Sequence, residues 1–449
     1  MKRFLVFLAT SLAMSLAACH AQPPLAPVAR PIAGYWFDEF RARRAAMQHP
    51  DFIAGSAIVK LTPKKPGVRI AGHGHWRKHS KGVLDDVHAR VLYLDSGRQA
   101  LVLVSLEFIG FMHQRVDRIR ARVTRKHSDS ILIASTHNHA GPDTEGLWGE
   151  PVLGMIPIKS GVDRDYLNWV EKKVAGAILR AVARARPARL YLGRFHAPRG
   201  LVVNMREPED VPREVLVLRA AGRDGFTIGT LVDFGNHAEA LQDNNRWLSA
   251  DWPGVLCRQV DAALGGTTLF FSGPAGGMLE PANDPDDPES ERIAFRNKLG
   301  GALAEGVIRQ AIGGMEEIPR PRIERFTRHF ELPIKADGIV ALAMNLHLIE
   351  PRPLHDGRLI TEAALINIGP LQIITIPGEV TPAFGRKIAA ELRARYKMII
   401  TLGMDHLAYM ITPRQWKDPR FGYEREMSLG PQTTGLVLEQ VHLLAQEAN

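Results

Sequence analysis

The chain has 449 residues, 45% hydrophobic and 23% charged, with a net charge of +9, the composition of a globular protein with enough apolar residues for a substantial core. Its basic residues are spread through the chain with no long run of one sign, which weighs against a nucleic-acid partner and leaves an anionic membrane or lipid surface as the better match. Cys19 and Cys257 are its two cysteines, so a disulfide framework and a thiolate zinc site are both excluded, and a metal must be held by His, Asp, Glu or Tyr.

Lys2 and Arg3, an apolar segment from Phe4 to Ala18 and small residues before Cys19 have the layout of a secretory signal. Leu16-Ala17-Ala18-Cys19 resembles the bacterial lipobox, which predicts an exported lipoprotein anchored through Cys19; cleavage near Ala18 or Ala21 without lipidation is the alternative. Residues 20–51 read as a Pro- and Ala-rich tether with a short amphipathic segment near Tyr35 to Met47, and residues 52–449 as one large domain.

Ala54 to Pro63 reads as an edge strand closed by proline, and Gly72-His73-Gly74-His75 as a glycine-rich loop. His88 to Leu94 and Ala100 to Leu106 form a predicted hairpin about Asp95-Ser96-Gly97, and Glu107 ends the second run. A basic helix over Gln114 to Lys126 leads into the apolar run Ile131-Leu132-Ile133, which delivers His137 and His139 into a Gly-Pro turn. Residues two apart in extended chain share a side, so both imidazoles can face one cavity.

Leu167, Val170, Val174, Ile178 and Val182 lie on one helical face, which Pro187 ends. Glu214 to Arg219 and Thr227 to Phe234 pair about Arg223-Asp224-Gly225, and the second runs into Gly235-Asn236-His237. Asp251 before Trp252-Pro253 predicts a helix N-cap. Thr267 to Phe271 is a short strand that enters a glycine-rich turn, and a helix over Glu291 to Ile312 precedes a proline-rich joint at Pro319 to Pro321. Strands follow over Leu359 to Ile368, Leu371 to Ile376 (ending in Pro377-Gly378-Glu379) and Met398 to Leu402, which runs on to Tyr409.

Four apolar strands thus end in a potential metal ligand: His137, His237, Glu379 and Tyr409. In α/β architectures such residues converge at the carboxyl ends of strands. Two histidines and a carboxylate are a usual protein set for catalytic zinc. The expected fold is α/β, with mixed β-sheets flanked by helices and a metal site at strand ends.

These residues carry a family resemblance. Thr136-His137-Asn138-His139-Ala140-Gly141-Pro142 resembles the Thr-His-Thr-His-Ser-Gly-Pro motif of neutral, non-lysosomal ceramidases, and Thr375-Ile376-Pro377-Gly378-Glu379 resembles their Pro-Gly-Glu segment. Gly235-Asn236-His237 and Ala408-Tyr409-Met410-Ile411-Thr412 match the segments of the second ligand histidine and the ligand tyrosine, in the same order across about residues 52–445. The resemblance implies that His137, His237, Glu379 and Tyr409 bind Zn2+, that His139 stands beside the scissile group, and that the chemistry is amide hydrolysis in an N-acylated lipid. Two features depart from the family. Ala275-Gly276-Gly277-Met278-Leu279-Glu280-Pro281 replaces the segment that bears the family's catalytic serine, and the expected C-terminal immunoglobulin-like domain has no counterpart in this sequence.

The mechanism expected from this set is metal-assisted hydrolysis, with His139 donating to the oxyanion or to the leaving amine and Glu280 as the base in place of the serine. Asp251 and Glu107 are candidates for orienting the ligand histidines. The alternatives are hydrolysis of another amide or ester, and a catalytically inactive lipid-binding lipoprotein.

Overall fold

The computed structural model describes residues 35–48, 50–72, 79–152, 156, 157, 159–352 and 354–448. The lipobox, most of the tether, His73 and His75 lie outside the described residues. No helix among the described residues is long and apolar enough to cross a membrane.

The chain opens with helix α1 (Trp36–Ala45), whose Phe37 is buried and whose Arg41 pairs with the buried Asp95. Next come β1 (Ile53–Lys60), β2 (His88–Asp95), β3 (Ala100–Leu106), helix α2 (His113–Val123), β4 (Ile131–Ser135), helix α3 (Arg164–Ala183), β5 (Arg186–His196), β6 (Glu214–Gly222), β7 (Thr227–Phe234), helix α4 (Asp251–Leu264), β8 (Thr267–Ser272), helix α5 (Glu289–Gly313) and β9 (Glu316–Ile318). The strands form one nine-stranded mixed sheet in the order β8-β7-β6-β5-β1-β2-β3-β4, with β9 added to β5. The β3/β4 and β7/β8 pairs are parallel. The expected edge strand, β1, is an interior one: it pairs with β2 along its whole length and with β5 at Ile53 and Ala54. Pro63 falls after the strand has ended at Lys60, so it removes no hydrogen bond from the ladder.

Beyond the proline-rich joint the chain builds a second mixed sheet from β10 (Ile323–Pro333), β11 (Arg358–Ile368), β12 (Leu371–Thr375) and β13 (Tyr396–Ile400), with Leu354–His355 paired to β11. Helices α6 (Pro382–Glu391) and α7 (Thr433–Glu447) pack with this sheet. The joint therefore marks the passage from one sheet to the other. In the second sheet β12 and β13 are the parallel pair.

Local chemistry accounts for the elements. The five residues of the α3 apolar face, Leu167 to Val182, are all buried, and the Asp163 side chain caps the helix by accepting from the N–H groups of Asp165 and Tyr166 at 3.0 and 3.1 Å. Helix α4 begins at Asp251 itself, so that residue is not the N-cap that its sequence position predicts. Cys257 packs inside α4 as a buried free thiol, pushed up to about 12 by burial.

The two sheets meet through the segment that leaves β13. The Thr401 N–H donates to Ser272 O at the end of β8 (2.9 Å), Met404 N–H to Ile133 O in β4 (2.7 Å), and Gly403 N–H to Ile376 O just beyond β12 (3.0 Å). All three parallel pairs thus bring their carboxyl ends to one place.

Candidate metal centre

His137 follows β4 by two residues and His237 follows β7 by three. The two exit loops run side by side through a parallel bridge at Asn138 and Ala238, with the His139 N–H donating to Ala238 O at 3.0 Å. That register aligns His137 with His237 and His139 with Glu239, so alternation sends all four side chains to one side. The Asn138 side chain faces the other way and ties the loop down, donating to Glu107 O at 3.0 Å and Ser249 O at 2.7 Å. His137 adopts left-handed backbone, φ 59°, as do Met278, Leu402, Met404 and Ala408 in the neighbouring loops. Such conformations are unfavourable for residues with a Cβ and concentrate at functional sites.

Glu379 and Tyr409 face each other in a short parallel ladder beyond β12 and β13, joined by Glu379 N–H to Ala408 O at 2.8 Å. The Glu379 carboxylate is buried with His137 Nε2 3.3 Å and His237 Nε2 3.5 Å from its Oε2. None of these three inward atoms makes a hydrogen bond among the described residues. Two ligands held at roughly 2.0–2.1 Å and a tetrahedral angle from one zinc lie about 3.4 Å apart, so the separations fit a shared ion.

The outer nitrogens are anchored. His137 Nδ1 lies 3.0 Å from Ile109 O and His237 Nδ1 2.9 Å from Leu279 O, which fixes each ring with Nε2 pointing inward. His139 stands beside both, its ring centroid 4.8 Å from that of His137 and 5.6 Å from that of His237, with Nδ1 3.1 Å from Glu239 Oε2. Two overlapping groups here can hold a metal ion, His137 with His139 and His237, and His137 with Glu379 and His406.

No family model matches the sequence. The fold is similar to that of a neutral ceramidase from Pseudomonas aeruginosa, with a TM-score of 0.71 and 18% identity over 88% of this chain and 74% of that one. It is equally similar to a ceramidase complexed with C2, with a TM-score of 0.70, 18% identity, and 88% and 75% of the two chains covered. The chain has the neutral ceramidase fold.

On this neutral ceramidase scaffold a cavity opens over the centre. His137, His139, Glu379, His406 and Tyr409 line its floor, and apolar walls rise at Ile109, Met112, Leu147, Val340, Ile349 and Leu407. Buried imidazoles and carboxylates perturb one another here. Burial disfavours a charged His237, but Glu239, Glu379 and Glu280 outweigh it and push the imidazole up to about 10. Burial and neighbouring carboxylates push Glu239 up to about 8 despite His237. Burial raises Glu379, but the neighbouring imidazoles of His137, His237 and His406 outweigh it and hold the carboxyl well below its ordinary range.

Two of the sequence-predicted orienting residues act elsewhere. Glu107 is closed off by the Arg90 guanidinium at 2.9 Å and the His88 N–H at 2.6 Å, and its backbone carbonyl accepts from the Asn138 side chain, between the two histidines. Asp251 accepts the N–H groups of Ala240 and Leu241, both at 3.1 Å, and so shapes the loop after His237 without touching the ring. Backbone carbonyls do the orienting instead. Glu280, half-buried on the segment Leu279–Pro281, adjoins the anchor of His237 and is absent from the cavity wall.

Three site residues have no counterpart in the sequence expectations: Glu145, Glu239 and His406. Glu239 had a usable signal, since His237-Ala238-Glu239 repeats the spacing of His137-Asn138-His139.

Proposed function

We propose that the protein is a zinc-dependent hydrolase that cleaves the amide bond of an N-acylated lipid. The observation that carries this reading is the trio His137 Nε2, His237 Nε2 and Glu379 Oε2, buried and unpartnered by hydrogen bonds, with the two nitrogens 3.3 and 3.5 Å from the carboxylate oxygen. Two imidazoles and a carboxylate are donors that zinc favours, and Tyr409, beside Glu379, supplies the fourth. Bound there, zinc supplies Lewis acidity towards a carbonyl oxygen and a water that ionises near neutral pH, at about 7.

The chain's own residues do the rest. Carbonyl anchors at Ile109 and Leu279 keep His137 and His237 in the tautomer that leaves Nε2 free. His139, with Glu239 behind it, donates to the oxyanion that develops on the substrate carbonyl or hands a proton to the leaving nitrogen. The apolar wall receives hydrocarbon and keeps bulk water from the reacting carbonyl. The lipobox at Cys19 supports an envelope-anchored lipoprotein, which brings this cavity to lipid.

The test is hydrolysis of a panel of N-acyl lipids, ceramide included, by the zinc-loaded protein, with release of the free fatty acid measured. Turnover that a chelator abolishes and zinc restores supports the reading. The absence of the family's serine from Ala275 to Pro281 favours one second reading, a lipid-binding protein without turnover. A zinc-replete protein inert on amides and esters alike, yet retaining lipid, supports that reading instead.

A further inference from the structure

We propose that His406, backed by Glu145, is a positioning residue that fixes the metal-binding carboxylate Glu379; the inference rests on the reading of the centre given above. The two oxygens of Glu379 have different neighbours. Oε2 faces His137 and His237, whereas Oε1 lies 3.3 Å from His406 Nε2. The other ring nitrogen of His406, Nδ1, meets Glu145 Oε1. A single imidazole thus spans two carboxylates and holds the outer oxygen of Glu379, which leaves the inner one turned to the ion. Hydrogen-bonding partners of metal-binding carboxylates orient them and tune affinity in this way.

The surroundings are built for this pair. A Cβ on Gly110 would collide with both Glu145 Oε1 and His406 Nδ1, so the bare backbone there provides the room they occupy. The adjoining Ile109 carbonyl anchors His137, so one short segment serves both arms of the site. Glu145 is buried, and its own N–H donates to Asp143 Oδ1 at 2.9 Å, in a turn that Asp143 closes. The His406 N–H donates to Asp405 Oδ1 at 2.9 Å, and Asp405 is in turn gripped by Arg352 and by the Thr361 hydroxyl at 3.0 Å. Side chains from the β4 exit loop and from the second sheet therefore converge on one ring.

The test measures zinc affinity by chelator competition on the full chain as wild type, His406→Ala, His406→Gln and Glu145→Gln, together with the melting temperature of each metal-free protein. His406→Ala should still take up zinc at saturation but bind it about 10–100-fold more weakly, the usual cost of losing such a partner. Its metal-free melting temperature should fall, because Glu145 and Glu379 lose their shared partner, so affinities are compared well below that temperature. His406→Gln returns an N–H donor near Oε1 and should recover most of the affinity. Glu145→Gln should fall between, and it decides on the same criteria if His406→Ala does not fold. Unchanged affinity in these variants overturns the proposal while leaving the hydrolase reading intact, and so does His406→Ala taking up no zinc at saturation, which would make His406 a ligand. A wild type that takes up no zinc overturns both.

Discussion

Two kinds of buried carboxylate stand in this molecule. Glu362 is fully buried; Arg120 grips both its oxygens, with Nη1 at 3.0 Å and Nη2 at 2.7 Å, and His329 Nε2 adds a contact at 2.9 Å, while Glu107 is held by Arg90 on one oxygen and by His88 on the other. Glu379 is just as enclosed, but its neighbours are three imidazoles at 3.3 to 3.5 Å. All three carboxyls sit below their ordinary range, since cationic neighbours outweigh the cost of burial. The difference lies in what the neighbours can give up. A guanidinium stays protonated and has no lone pair to offer, so its pair is closed for good, whereas an imidazole can exchange its proton for a metal. A buried carboxylate tied by an arginine marks where this fold is held together, and one that faces imidazoles without an arginine marks where it is open to chemistry.

That contrast breaks most visibly on substitution. His137→Ala should abolish metal-dependent hydrolysis, a loss of at least about 10³-fold, while its metal-free melting temperature changes far less than that of Glu362→Ala. Glu362→Ala leaves Arg120 buried without its partner and should cost about 3–5 kcal/mol of stability, read by denaturant unfolding, with zinc uptake at 25 °C intact. His139→Ala should keep the metal and lose about 10²–10³-fold in kcat, or ~3 kcal/mol of transition-state stabilisation, measured on zinc-loaded protein. Equal metal loss in His137→Ala and His139→Ala would erase the distinction between them.

Acid sharpens the same comparison. Glu107 and Glu362 have folded pKa values below their unfolded ones, so the stability they contribute is present above the unfolded carboxyl value of about 4.3. It is lost as pH falls from there through the lower folded values. Melting temperatures of metal-free protein should drop between about pH 5 and pH 3, and less steeply in Glu362→Gln. The smallest expected effect is at the α3 cap, where Asp163→Ala should cost about 1 kcal/mol and leave zinc affinity unchanged.

The sequence makes the chemistry of the strand ends legible because the strands behind them are buried on both faces and read as continuous apolar runs, as in Ala100–Leu106 and Ile131–Ser135. Strands with one exposed face are harder to see. β5 and β10 carry Arg and His, and β10 also Glu, between their apolar residues, and neither stands out from surrounding loop. Chain order also hides that Ile53–Lys60 lies inside its sheet, because β5, its second partner, is more than a hundred residues away. His406 and Glu145 are 261 residues apart, and nothing local announces a ring that works by touching carboxylates from two other loops. Glu107 shows the opposite failure: a carboxylate at a strand end resembles a site residue until Arg90, one strand over, is seen to close it.

The most direct test is zinc content, measured on wild type and Glu379→Ala purified side by side. The account predicts about one zinc per chain in wild type and none retained in the variant, with both proteins folded. Zinc-free wild type that stays empty after zinc is added, or equal zinc in the two proteins, would contradict a centre built on Glu379.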